Sequence, residues 1–249
     1  MKKLSLREKQ ILAGLYLSKF DAIGLHQLGF RSFVEAFNVF GFSLGTKPAS
    51  IKNYRDEFDP LFQNERKGWH KRPMRLYCKA VYDEFSGLDL GEFSTLLKQL
   101  IYKQHDLDIL MEELEQDESE KKNSFAQRLI TGQAAEQYFV SKYKEINLFS
   151  EFEIEDTTRL GCGFDFKLTS QDGFYGVEVK GMNEAKGNIT LTNKEHSVAS
   201  VLGDRYFLFV VKNFKEDPFH DLYQNPLNGR LPFNRIEQKI IQVSWSTKL

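Results

Sequence analysis

Gly163-Phe164-Asp165-Phe166-Lys167-Leu168-Thr169-Ser170 is followed one short turn later by Gly173-Phe174-Tyr175-Gly176-Val177-Glu178-Val179-Lys180-Gly181. The intervening Ser170-Gln171-Asp172-Gly173 carries an Asp-Gly pair, which favours a tight hairpin between two strands. Alternate residues of a strand share a face, so Glu178 and Lys180 point together while Val177 and Val179 point away. Asp165 precedes Glu178 by thirteen residues, room for a strand, a turn and a return. Two neighbouring strands can therefore carry two carboxylates and one ammonium to a single point.

Outward from this pair, strands are expected at Phe152–Ile154, Phe164–Leu168, Phe174–Lys180 and Tyr206–Val211, with helices near Phe125–Ile146 and Asn193–Leu202. Strand, strand, helix, strand is the order of an α/β domain with a mixed sheet. The N-terminal part has a different period. Ser5 with Glu8 is a capping-box pattern ahead of Ile11, Leu12, Leu15 and Tyr16. Ser32 with Glu35 repeats the signal ahead of Phe33, Phe37 and Phe40, and Gly41 is the expected stop. In 47–58, Ile51, Tyr54 and Phe58 are expected to face a core and Lys52, Asn53, Arg55 and Asp56 to face outward. Phe93, Leu96, Leu97, Leu100 and Ile101 mark a further helix. The division expected is a mainly α-helical domain over 1–114, an acidic linker over 115–124 and the α/β domain over 125–249.

The net charge of −1 hides an uneven distribution. Residues 1–105 balance at +6, residues 106–124 at −6 and residues 125–249 at −1. Lys47 to Lys79 holds nine basic residues against four acids, a density that suits either a phosphate-contacting surface or a solvated face. Residues 59–73 interleave cations with aromatics. Lys52, Asn53, Arg55, Arg66, Lys67, Trp69, His70, Lys71 and Arg72 are the candidates for a DNA-binding surface, with Trp69 also readable as a core residue and His70 as a solvated one.

The 249 residues contain 41% hydrophobic and 28% charged residues, ordinary for a globular chain. No apolar run reaches the ~20 residues of a membrane span. Cys78 and Cys162 are far apart and lack a CxxC context, which argues against a disulfide scaffold or a cysteine zinc site. Met1-Lys2-Lys3 does not lead into an apolar signal core, so a cytoplasmic location is expected. Gly41 to Lys47 has the wrong spacing for a phosphate-binding loop, and the five histidines show no metal-ligand spacing.

Two carboxylates and an ammonium suit phosphodiester hydrolysis. Hard oxygen donors hold Mg²⁺, which binds phosphate while keeping several waters. The lysine can orient the attacking water or stabilise developing charge. Here the chain resembles the PD-(D/E)xK nuclease superfamily, the restriction-endonuclease-like fold, with Phe164 where the motif has proline. The resemblance implies that Asp165 and Glu178 bind the metal together with the Val179 carbonyl, that Lys180 is the catalytic lysine, and that Glu136 in Gly132-Gln133-Ala134-Ala135-Glu136 is the helical acid. More closely, Glu178 to Gly181, Ile189 to Glu195 and Gly203 to Val211 resemble the nuclease-like domain named after the C-terminus of the plant NO VEIN protein, in which Glu195 would begin a helix near the site.

What this implies is a Mg²⁺-dependent, sequence-specific endodeoxyribonuclease, a type II restriction enzyme acting on double-stranded DNA, with Mn²⁺ able to substitute. A homodimer is expected for cutting both strands, with a cognate methyltransferase as a separate protein. The alternatives are a nuclease for modified DNA or for RNA, and an inert DNA-binding protein on a nuclease scaffold.

Overall fold

The computed structural model describes residues 4–68, 71–101, 119–171, 173–229, 231–237 and 247, with only the backbone for 119–127. Trp69, His70, Asp172 and the acidic stretch 102–118 lie outside the described residues. The N-terminal part is helical: α1 (Leu6–Gln27), α2 (Phe33–Ser43), α3 (Pro48–Phe58), α4 (Leu76–Phe85) and α5 (Leu90–Ile101). The Ser5 capping box forms, with the Ser5 hydroxyl accepting from Glu8 N–H and the Glu8 carboxylate accepting from Ser5 N–H. Ser32 caps α2 by accepting from Glu35 N–H.

Gly41 does not stop α2, which runs on to Ser43 and gives way to Gly45 at φ +59°. Gly41 serves packing instead, because a Cβ there would lie 2.8 Å from Pro48 N and Cα at the start of α3. A core of Leu12, Leu15, Tyr16, Phe40, Ile51, Phe58 and Phe93, each buried, ties α1, α2, α3 and α5 together. Arg55, expected to face outward, is buried, and its guanidinium lies over the rings of Phe33 and Phe37.

α6 (Ser119–Lys142) takes up the last part of the expected linker as helix and leads into a five-stranded sheet. The strands are β1 (Glu153–Asp156), β2 (Phe166–Ser170), β3 (Gly173–Gly181), β4 (Tyr206–Lys212) and β5 (Phe219–Gln224), in spatial order 1-2-3-4-5. The pairs β1–β2, β2–β3 and β4–β5 are antiparallel, whereas β3 and β4 run parallel through α7 (Asn193–Leu202), so the sheet is mixed. β5 has no counterpart among the expected strands.

One face of the sheet packs on α6. Val177, Val179, Phe207, Phe209 and Val211 are buried against Ile130, Ala134, Ala135 and Phe139. Phe139 meets Phe209 edge-on at 4.9 Å and Phe166 at 5.2 Å. The approach is close at Gly181, where a Cβ would stand 2.8 Å from the Thr131 carbonyl oxygen. The same α6 also receives α2, as the Ser43 hydroxyl donates to the Ile130 carbonyl, and the buried core runs unbroken from α1 to β4.

Candidate functional site

The register of β2 on β3 assembles the site. Phe166 pairs with Val177, which sets Asp165 directly across from Glu178 on the face away from α6. Asp165 N–H donates to the Val177 carbonyl at 3.0 Å, and Asp165 Oδ2 accepts from Val179 N–H at 2.8 Å. Backbone groups alternate along a strand, so the Val179 carbonyl faces the same side as the Val177 carbonyl, past the end of β2 and beside the Asp165 carboxylate. The turn that delivers Asp165 depends on Gly163, at φ +93°, where a Cβ would lie 2.7 Å from Val198 Cγ2 on α7.

Lys180 is held from two sides. Its Nζ lies 2.6 Å from Glu178 Oε1 and 2.8 Å from Glu195 Oε2. Glu195 is fixed in turn by the capping box of α7, since its Oε2 also accepts from Thr192 N–H while the Thr192 hydroxyl accepts from Glu195 N–H. The resemblance puts Glu195 near the site; the structure adds that it is an anchor of the lysine. The sequence signal for this was Thr192-x-x-Glu195 at the start of the helix between β3 and β4.

Charge is crowded here. Burial pushes the Asp165 carboxyl up to about 7, with the Glu136 charge adding to it against the Val179 hydrogen bond. Burial also raises Glu178 well above the carboxylate range, with Asp165 as the next cause. Burial disfavours the Lys180 ammonium, but Glu178 and Glu195 outweigh it and hold its pKa above the ordinary value. Glu136, on α6, is thus within electrostatic reach of Asp165, and Asp165, Glu178, Lys180 and Glu136 belong to one neighbourhood. Glu178 is only 3% exposed, so its charge has little water to rely on.

Among the described residues no group of three or more His, Cys, Asp or Glu side chains is placed to hold a metal ion. Asp165 and Glu178 with the Val179 carbonyl nevertheless fit a hard divalent cation. All three are oxygen donors, and burial with neighbouring negative charge (Glu136 on Asp165, Asp165 on Glu178) disfavours both ionised carboxyls, which a cation between them would relieve.

Residues 133–224 match the family model described as Protein NO VEIN, C-terminal. The match begins within α6, ends on the last residue of β5, and so takes in the whole sheet, Glu136, Asp165, Glu178, Lys180 and Glu195. It leaves out α1 to α5. No curated protein and no solved structure matches the chain.

The N-terminal candidates separate into two groups. Arg55 Nη2 lies 2.7 Å from Asp56, and Arg66 donates to Asp59 at 2.9 and 3.0 Å and to Asp21 at 2.8 Å. Arg72 donates to Glu57 at 2.6 and 3.0 Å, and Arg75 binds the same carboxylate. Burial opposes the Glu57 charge, yet Arg72 and Arg75 hold its pKa below the usual carboxylate range. Three of the proposed contact arginines are thus engaged with carboxylates of their own chain, and the buried Arg55 is not part of an open surface. Lys52, Asn53, Lys67 and Lys71 are exposed, although Lys52 pairs with Asp56 at 2.6 Å.

Proposed function

We propose that this chain is a Mg²⁺-dependent endonuclease with a restriction-endonuclease-like C-terminal domain, hydrolysing phosphodiester bonds in DNA. The observation that carries the reading is the convergence of Asp165, Glu178 and Lys180 on β3 and the turn leading into β2, with both carboxyls raised by burial, Asp165 further by Glu136 and Glu178 further by Asp165. Asp165, Glu178 and the Val179 carbonyl would hold the metal, which when bound supplies a polarised phosphoryl oxygen and a more acidic water. The chain's own part is positional. Lys180, charged and fixed by Glu178 and Glu195, places a cation where a phosphate oxygen or the attacking water sits. Glu136 holds negative charge beside Asp165 and tunes the affinity of the pair for a cation. Recognition by the N-terminal part would rest on Lys52 and Asn53 of α3 and on Lys67 and Lys71 of the α3–α4 connection more than on the engaged arginines.

The test is incubation of the purified chain with unmethylated and methylated phage DNA, in Mg²⁺ and in EDTA, beside Lys180→Ala. Discrete fragments that need Mg²⁺ and disappear in the variant support a sequence-specific nuclease. The second reading, a nuclease scaffold that binds without cutting, is favoured by the 2.6 Å contact of Lys180 with Glu178, which engages one of the two carboxylates a metal would need. It predicts a salt-sensitive gel shift with intact DNA in every lane.

A further inference from the structure

A cavity of about 1040 Å³ opens beside Lys180 on the same face of the sheet. Its floor includes Val210, Lys212 and Tyr223, and its walls are the 187–193 segment, the exposed side of α7 and the 231–237 segment. Val210 is the direct pairing partner of Lys180, so the cavity starts one strand spacing, about 4.8 Å, from the backbone of the lysine. Thr192, whose hydroxyl caps the helix carrying Glu195, lines it as well. Nothing in the catalytic reading uses this space.

Its lining has two kinds of chemistry. Tyr223, Phe233 and His196 supply rings, and Phe233 meets His196 edge-on at 6.3 Å. Tyr223 is fixed in place because its hydroxyl donates to Asp221 at 3.0 Å, while Lys212 binds the same carboxylate. Asn188 and Asn193 supply amide donors and acceptors. Rings for stacking beside amides for hydrogen-bonding base edges are what an unstacked nucleobase needs. The volume of about 1040 Å³ sits just above the roughly 300–1,000 Å³ of small-ligand sites, and its walls on several sides admit one nucleoside more readily than a stacked duplex.

We propose that this cavity binds a single unstacked nucleoside adjoining the scissile phosphate, so that the substrate is a single strand or a duplex with one nucleotide turned out of the stack. The proposal rests on the nuclease reading for what lies next to Lys180, and deepens it by naming the form of the substrate.

The probe is an oligonucleotide of about eight residues with one central 5-iodouracil, in deoxy and ribo versions, irradiated with the full-length protein in EDTA and mapped by mass spectrometry. Cross-links should fall on Tyr223, Phe233 or His196, and whichever sugar gives them identifies DNA or RNA. Phe233→Ala should weaken binding of the same oligomer about tenfold, the usual loss for one stacking ring. Cross-links confined to the N-terminal helices, or affinity unchanged in Phe233→Ala, would overturn the proposal. Cleavage assays of the wild type and Lys180→Ala separate the two ideas. Cross-links in a wild-type chain that cuts no DNA would sink the nuclease and leave the nucleoside site, whereas Lys180-dependent cutting without these cross-links would do the reverse.

Discussion

Asp165→Asn, studied without metal, should make the folded chain less sensitive to pH. In the folded protein burial pushes the Asp165 carboxyl up to about 7, against 3.8 for an ordinary aspartate. Folded pKa above unfolded pKa means that stability is full below the unfolded value and is lost as pH rises through the folded one. Between about pH 5 and pH 7 the unfolded chain carries this carboxylate ionised while the folded chain keeps its proton. Each pH unit across that window is worth about 1.36 kcal/mol, so the wild type gives up roughly 3 kcal/mol that the variant keeps. Asparagine has nothing to ionise, and its Oδ1 can still accept from Val179 N–H as Asp165 Oδ2 does. For a chain of this size the difference corresponds to roughly 6–12 °C in Tm.

The assay is thermal melting of both proteins in EDTA at about pH 5 and about pH 7.5. Only the change in their difference is read, which cancels the titrating groups that Asp165 does not influence; Glu178 is relieved of the Asp165 charge in the variant and adds to the effect in the same direction. The variant should gain on the wild type by that interval as pH rises. Parallel curves, with the same gap at both pH values, would show that Asp165 is an ordinary solvated carboxylate, and the argument for a strained pair would fail with it.

Adding Mg²⁺ at about pH 8 should raise the Tm of the wild type by mass action and leave Asp165→Asn and Glu178→Gln unmoved, as measured by differential scanning fluorimetry. Lys180→Met should cost roughly 3 kcal/mol, because Glu178 and Glu195 lose a cation at 2.6 and 2.8 Å, and combining it with Glu178→Gln should restore part of that loss in a double-mutant cycle of urea melts. Glu57→Gln should destabilise the helical part by a similar ~3 kcal/mol, since two guanidiniums lose a carboxylate that is 1% exposed, and the lowered Glu57 pKa makes the wild-type advantage fade as pH falls below about 4.5. If the N-terminal helices bind DNA, replacing Lys67 and Lys71 by alanine should flatten the plot of log affinity against log salt by about 0.9 per phosphate contact, while Arg66→Ala should lower Tm and leave that slope alone.

The meeting of Asp165, Glu178 and Lys180 is legible in the sequence because its parts are local. Asp165, Glu178 and Lys180 lie on two strands joined by one turn, and a period of two is enough to decide which side chains share a face. The helix expected near Asn193–Leu202 is found with those limits as α7, and its Thr192 cap is a local signal of the same kind. β5 was not, since Phe219-His220-Asp221-Leu222-Tyr223-Gln224 alternates only weakly and its pairing with β4 is a long-range choice. The arginines show a deeper limit. Counting nine cations against four acids ignores where the acids lie, and Glu57 and Asp59 are buried, each with two or more guanidiniums around it. A buried carboxylate needs such partners, so a basic excess in sequence can be consumed inside the fold before any phosphate arrives.

The same placement connects the two halves of the chain. α6 is pressed on one side by α2, where Ser43 bonds Ile130, and on another by β3, where Gly181 lets it approach to contact distance. Asn38 of α2 adds a second tie by donating to the carbonyls of Phe214 and Glu216, just past β4. Glu136 rides on that clamped helix and is the first charged group to act on Asp165. A ligand on the N-terminal helices that shifted α2 would therefore have a short physical route to the site. It would move Glu136, change how readily Asp165 holds its proton, and so change how readily the carboxylate pair accepts a cation. Coupling of this kind requires the helical part and the sheet to share one core, which they do.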